Sequence, residues 1–123
     1  MKLDIEIIKP DAGTSDLNNY ICKICLFNEL DRKSDNDFEF IITALINGGI
    51  RKILFDLENL RYVDSSGIGK IISTTKLIRK LNGNVTITRC STQIMEILVL
   101  IKLENFIKIF PSAEEGMNFL KFN

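Results

Sequence analysis

The chain has 123 residues and contains no histidine. Histidine is the commonest general base at neutral pH and the commonest metal ligand, so a histidine-dependent catalytic triad is excluded within this chain. The sequence also lacks the Gly-x-Ser-x-Gly pattern of a nucleophile elbow and the Gly-Lys-Ser/Thr end of a P-loop. We therefore expect a protein that is not an enzyme, with no catalytic residues, no cofactor and no metal site.

An excess of either charge is also missing, because 16 basic residues balance 16 acidic ones. Nucleic-acid-binding proteins usually carry a positive field, so direct binding to nucleic acid is not expected. The most apolar run, residues 97–101, is far too short to span a bilayer, and no apolar signal-peptide run follows Met1. These features predict a cytoplasmic protein without a membrane span.

Cysteine is scarce, and its three copies have no disulfide-framework spacing. Cys22 and Cys25 form a C-x-x-C pair, but they fall in a predicted strand, where residues three apart point to opposite faces. Together with Cys90 they are interpreted as reduced thiols, the first two packing like small hydrophobic side chains. The acidic stretch 29–39 fits no EF-hand spacing and is interpreted as a solvated loop and helix start, with a negative partner surface left open.

The chain does contain enough apolar material for a core, since 46% of its residues are hydrophobic and 26% are charged. Its length predicts one domain over residues 1–123. Strands are predicted at 3–7, 20–27, 53–57, 85–88 and 106–110. Helices are predicted at 34–47, 64–81, 92–101 and 112–120, with Ser34–Asp37 and Ser112–Glu115 as capping boxes. Gly48-Gly49 is predicted to end the first helix, and Ser91 or Thr92 to cap the third. Residues 10–19 are predicted to form a polar turn of unassigned role.

These elements follow one another in the order β-β-α-β-α-β-α-β-α. Strands that alternate with helices predict the α/β class, with a mixed, mostly parallel sheet covered by helices. The two strands at the start resemble a hairpin, so one edge strand is expected to run antiparallel.

The segment Asp64-Ser65-Ser66-Gly67-Ile68-Gly69 joins a predicted strand to a helix. One polar residue there is explained by capping of exposed backbone N–H groups. A second serine leaves a hydroxyl free, and a phosphate on it would meet the positive end of the helix. The residues alone therefore favour either a simple cap or a phospho-acceptor at Ser65 or Ser66.

Three segments occur together along the chain: residues 27–31 (FNELD), 63–69 (VDSSGIG) and 109–115 (IFPSAEE). Together they resemble the STAS domain family, and more narrowly its bacterial anti-sigma factor antagonists. Residues 63–69 resemble the family signature, residues 27–31 are similar to its Gly-Glu-Leu-Asp turn, and residues 109–115 resemble the segment that leads into its last helix. Asn28 replaces the usual glycine, and asparagine tolerates a positive φ better than most residues.

The resemblance implies that Ser65 is a phosphorylation site flanked by Asp64 and Ser66, with Ser66 capping the helix. It implies a partner-binding surface around that site, which comprises Glu29, Asp31, Asp64, Ser65, Ser66, Gly67 and Lys70. The expected STAS-like fold is a single domain.

The resemblance further implies partner switching. The unphosphorylated protein binds an anti-sigma factor that is also a serine kinase and so releases a sigma factor. The kinase phosphorylates Ser65, and a PP2C-type phosphatase resets the protein. The alternatives are a STAS docking subunit of a lipid-transport ABC system or other non-sigma signalling complex, an enzyme on a related α/β scaffold, and an inert domain whose residues 64–67 only cap a helix.

Overall fold

The computed structural model describes residues 1–9 and 17–123. Most of the polar turn predicted at 10–19 lies outside the described residues, and its last part forms a 3₁₀ turn at Leu17–Asn19. The described strands are β1 (Leu3–Ile8), β2 (Ile21–Leu26), β3 (Asn28–Leu30), β4 (Lys52–Asp56), β5 (Leu60–Val63), β6 (Asn84–Thr88) and β7 (Lys108–Phe110). The described α-helices are α1 (Asp35–Asn47), α2 (Ser65–Lys80), α3 (Thr92–Leu100) and α4 (Ala113–Phe122).

Five strands form the main sheet in the order β1-β2-β4-β6-β7. Strand β1 runs antiparallel to β2 at one edge, and the remaining neighbours are parallel. The predicted α/β class, the mixed sheet and the antiparallel edge strand are therefore confirmed. A second sheet, in which β3 pairs with β5 in parallel, was not predicted. Its strands have only three and four residues, and the first was interpreted as a turn.

Alternation along the strands divides the hydrophobic side chains between the two faces of the main sheet. In β2, Cys22 and Ile24 belong to the large core under α1, α2 and α3. Ile21 packs instead with Leu54 of β4 and Leu120 of α4. Cys25 lies on the second face, beside Asp56. The prediction that the two cysteines of the C-x-x-C pair face opposite sides of a strand is thus confirmed.

Strand β1 is less buried than its alternating pattern predicts. Ile5 and Ile7 remain 41% and 45% exposed with respect to the described residues. Both lie on the face of the large core, but β1 is an edge strand that pairs only with β2. The helices of that face cover the inner strands instead.

Three of the predicted signals at helix ends agree with the structure. Gly49 adopts a φ of 104° just after α1, as a helix-ending glycine does. Ser91 accepts a hydrogen bond from the Ile94 N–H at 3.2 Å, and Ser112 accepts one from the Glu115 N–H at 3.2 Å. The predicted Ser34 capping box is wrong. The Ser34 hydroxyl makes no cap bond and donates instead to Asp31, because residues 32–34 form a 3₁₀ turn.

Candidate functional site

The small sheet brings two distant segments together. Leu30 of β3 pairs with Val63 of β5, so residues 31 and 64 leave the two strands side by side. Asn28 adopts a φ of 64°, as expected for the residue that replaces the family glycine. Residues 31 to 35, which we call the 31–35 turn, therefore lie directly against the start of α2.

Asp64 is the N-cap of α2. Its Oδ1 accepts a hydrogen bond from the Gly67 N–H at 2.8 Å, which satisfies one of the orphan donors of the first helical turn. Its Oδ2 accepts from the Arg32 N–H at 3.3 Å and so ties the 31–35 turn to the helix. The prediction that Ser66 caps this helix is wrong, because the aspartate two residues earlier already occupies that position.

Asp31 organises the turn itself. Its Oδ1 accepts from the Lys33 N–H at 3.0 Å and from the Ser34 hydroxyl at 3.3 Å. Its backbone carbonyl accepts a hydrogen bond from Lys70 Nζ at 2.8 Å. The side chain therefore caps the 3₁₀ turn, while the main chain is bound to α2.

Ser66, Lys70 and Asp35 form a hydrogen-bonded group between α2 and α1. The Ser66 hydroxyl donates to Asp35 Oδ1 at 3.1 Å, and Lys70 Nζ donates to Ser66 Oγ at 3.2 Å. Lys70 also forms an ion pair with Asp35. The hydrogen bond from Lys70 is the main cause that lowers the pKa of the Asp35 carboxyl below its usual range. The Lys70 side chain is only 12% exposed, so its ammonium is held inside this group.

Ser65 differs from its neighbours. It is the first residue of α2 and is exposed, and among residues 1–9 and 17–123 its hydroxyl has no hydrogen-bond partner. The free first-turn N–H groups of α2 give this end of the helix a positive potential, which favours an anion. The arrangement leaves the Ser65 hydroxyl accessible at the first turn of α2.

The structure brings together most of the residues predicted for the site. The residues joined by these contacts are Asp31, Asp64, Ser66 and Lys70. Gly67 lies beneath them in direct contact with β3, whereas Glu29 is exposed in β3 and takes no part in this network. Asp35 and the Arg32 backbone were missed. No spacing rule links residues 35 and 70, and Asp35 was interpreted only as part of a solvated acidic stretch.

A second polar cluster surrounds Asp56 at the carboxyl end of β4. The buried carboxylate accepts hydrogen bonds from Arg89, lies 3.7 Å from Lys23 Nζ, and accepts from the Glu58 N–H at 3.1 Å. The pKa of Arg89 is raised, chiefly by its hydrogen bond to Asp56. Because these groups come from β2, β4 and the residues after β6, they join neighbouring strands. We assign the cluster a structural role.

The environment of the thiols fits packing side chains. Burial raises the pKa of the Cys22 thiol to about 12 and that of Cys90 to about 11. Both thiols are therefore protonated at neutral pH. Among the described residues, no three His, Cys, Asp or Glu side chains converge on a point where they could hold a metal ion. In the same ranges, every helix is too short or too polar to cross a membrane.

Comparison with known proteins gives consistent matches. The STAS domain family profile matches residues 16–116. The anti-sigma-B factor antagonist of Staphylococcus aureus is 27% identical over 86 residues, which cover 70% of this chain and 80% of that protein.

Solved structures show the same fold. A crystal structure of a candidate anti-sigma factor antagonist from Thermotoga maritima superposes with a TM-score of 0.81 at 19% identity, covering 97% of this chain and 94% of the other. SpoIIAA of Bacillus in its phosphorylated form gives a TM-score of 0.65 at 20% identity, covering 94% and 97%.

Proposed function

The chain belongs to the STAS domain family, and on that premise we propose that it is an anti-sigma factor antagonist switched by phosphorylation of Ser65. The proposal includes a partner that is both an anti-sigma factor and a serine kinase. It also includes a PP2C-type phosphatase that removes the phosphate, a single domain over residues 1–123, a non-enzymatic role and a cytoplasmic location.

One observation carries the choice of Ser65. Its hydroxyl is exposed and unpaired among the described residues, whereas the Ser66 hydroxyl donates to Asp35 and accepts from Lys70. A kinase can reach the first hydroxyl without disrupting any contact in the described chain. Phosphorylating the second would break two contacts and place a dianion against a carboxylate. The Staphylococcus aureus relative is named an anti-sigma-B factor antagonist, and that name supports the same function.

The proposed partner surface is centred on Ser65. The residues that we assign to it are Glu29, Asp31, Asp64, Ser65, Ser66, Gly67 and Lys70. Gly67 is buried and the Lys70 ammonium is bound inside the chain, so these two shape the surface from beneath. The others include the carboxylates of Glu29, Asp31 and Asp64, so a negative charge added at residue 65 would meet charges of the same sign.

The phosphate acts on this contact through charge. The γ-phosphoryl group of ATP is transferred to Ser65 Oγ, the bond to ADP breaks, and the hydroxyl proton is released. The product carries roughly −1.5 to −2 added charges next to Asp64, the residue that precedes Ser65. In a packed interface that charge is repelled and poorly solvated, and a loss of about 2–3 kcal/mol weakens binding by roughly 30- to 150-fold.

A phosphorylation assay tests the proposal. The purified protein is incubated with ATP and the cognate anti-sigma factor kinase, and intact mass with peptide mapping locates any phosphate. We expect one phosphate on Ser65, with loss of the complex with the kinase. The Ser65→Ala variant should remain unmodified, and Ser66→Ala should still accept phosphate at position 65. Phosphate on Ser65→Ala, or mapping of the wild-type phosphate to Ser66, would contradict the assignment.

A further inference from the structure

Lys70 links three segments of the chain beside Ser65. Its ammonium donates to the Asp31 carbonyl at 2.8 Å and to Ser66 Oγ at 3.2 Å, and it forms an ion pair with Asp35. An ammonium has three N–H donors, so these contacts use all of them. Lys70 therefore fixes the 31–35 turn to the first turn of α2.

We propose that a phosphate on Ser65 draws the Lys70 ammonium away from Asp35 and thereby loosens the 31–35 turn. The inference rests on the proposed function in that Ser65 is the residue that carries the phosphate. Lys70 is then a positioning residue, which transmits charge from the modified serine to a neighbouring segment of the proposed partner surface.

The backbone N–H groups of residues 32 to 35 are all hydrogen-bonded, so their exchange reports any loosening of the turn when Lys70 moves. The N–H of Arg32 donates to Asp64, and that of Lys33 donates to the Asp31 carboxylate. The N–H of Ser34 donates to the Asp31 carbonyl at 3.0 Å, and that of Asp35 donates to the Arg32 carbonyl. Every amide from 32 to 35 thus has a partner. The turn is bound to the start of α2 through polar contacts with Asp64, Ser66 and Lys70.

The electrostatics favour exchange of partners by Lys70. The phosphate is close to a dianion and Asp35 carries a single charge, so the phosphate attracts an ammonium at equal distance more strongly. Ser65 is adjacent to Ser66, whose hydroxyl already contacts Lys70 Nζ. The Asp35 side chain is 48% exposed and can move into solvent, where water replaces its hydrogen bonds. Repulsion between the phosphate and the Asp35 carboxylate acts in the same direction.

Hydrogen exchange measured by mass spectrometry tests the proposal on the full chain without any kinase. Phosphoserine is incorporated at position 65 during translation, and exchange is followed in a peptide that covers residues 31–35. We expect exchange about five- to tenfold faster in the phosphorylated protein than in the unmodified one. The matched control carries phosphoserine at position 92, the exposed first residue of α3, and should leave this peptide unchanged.

Variants identify the residue responsible. Unmodified Lys70→Met should already exchange rapidly in the 31–35 turn, and phosphoserine at 65 should then add less than about twofold. Lys70→Arg should restore most of the response. Equal exchange in the two wild-type forms would overturn the proposal, as would wild-type protection in Lys70→Met.

The peptide covering α4 serves as the internal reference for folding. If the α4 peptide also exchanges rapidly in Lys70→Met, the whole fold of that variant is destabilised. The variant Asp35→Asn, which changes a half-exposed side chain, then replaces Lys70→Met, and the same pattern of exchange is expected. Since no kinase is used, a negative result here leaves the phosphorylation assay of Ser65 untouched. Conversely, failure of every kinase to modify Ser65 leaves the measured coupling between residue 65 and the turn unchanged.

Discussion

Ser65 and Ser66 are adjacent and chemically identical, yet the fold gives them different environments. The hydroxyl of Ser66 points to the group formed by Asp35 and Lys70, whereas that of Ser65 is exposed. The sequence left the choice between the two serines open when only the residues were considered. The difference between the two hydroxyls depends in part on Asp35, which lies 31 positions before Ser66 and is contained in no local pattern around the serines.

The ion pair of Asp35 predicts a dependence of stability on pH. The pKa of Asp35 is lowered in the folded chain, chiefly by its hydrogen bond from Lys70. A lowered pKa contributes stability above the unfolded value of about 4, and this contribution is lost as pH falls through the native pKa. The difference in Tm between wild type and Asp35→Asn should therefore be largest near neutral pH and should approach zero in acid.

Thermal unfolding over a pH series measures this difference. Glu39→Gln is the control, because that carboxylate is exposed and forms no ion pair with the described residues. Its difference from wild type should stay nearly constant over the series. If the difference in Tm between wild type and Asp35→Asn increased in acid, the predicted sign of the pH dependence would be wrong.

At the scale of elements, the site depends on how closely α2 approaches β3. A Cβ on Gly67 would lie 2.1 Å from the Leu30 carbonyl oxygen, which is a backbone atom and cannot swing aside. Only glycine permits this approach, and the approach places the 31–35 turn against α2. The sequence predicted α2 and its first residues. It did not predict the sheet formed by β3 and β5, which brings β3 into contact with Gly67.

Replacing Gly67 by alanine should therefore destabilise the fold. We expect a loss of about 2–3 kcal/mol in the free energy of unfolding, since β3 or α2 must shift. The matched control is Gly69→Ala two residues later, where an added Cβ meets nothing within 4 Å. That variant should be stabilised by up to about 1 kcal/mol, because alanine favours a helix interior. Urea unfolding distinguishes the two, and a Gly67→Ala variant as stable as wild type would refute the close approach.

The whole molecule has hydrophobic cores of unequal size on the two faces of its main sheet. The face under α1, α2 and α3 carries most of the buried side chains, including Phe55 and Ile87. Among the described residues, the other face buries Ile21 and Leu54 of the sheet against Leu120 of α4. The small core of the second face therefore depends strongly on each side chain that α4 contributes.

Shortening Leu120 tests this dependence. Leu120 is fully buried, so Leu120→Ala should cost about 2–4 kcal/mol of unfolding free energy through lost burial and a residual cavity. Phe122→Ala on the same helix is the control. That ring is 85% exposed, and its removal should change stability by less than about 0.5 kcal/mol. Chemical denaturation gives both values, and equal effects would mean that α4 does not pack as described.

The sequence by itself determined the α/β class, the order of the main elements, the cap at Ser112, and the STAS family. These features follow from local periodicity and from short motifs, which a chain carries wherever it folds. The tertiary structure alone decided that Asp64 caps α2, that Ser34 does not cap α1, and that β3 pairs with β5. It also decided that Lys70 is bound to Asp31, Ser66 and Asp35. The strand pairing and the contacts of Lys70 with Asp31 and Asp35 join segments more than thirty residues apart, which no local pattern contains. The caps are contacts between residues three apart, and there the competition among several polar groups is settled only by their distances in the folded chain.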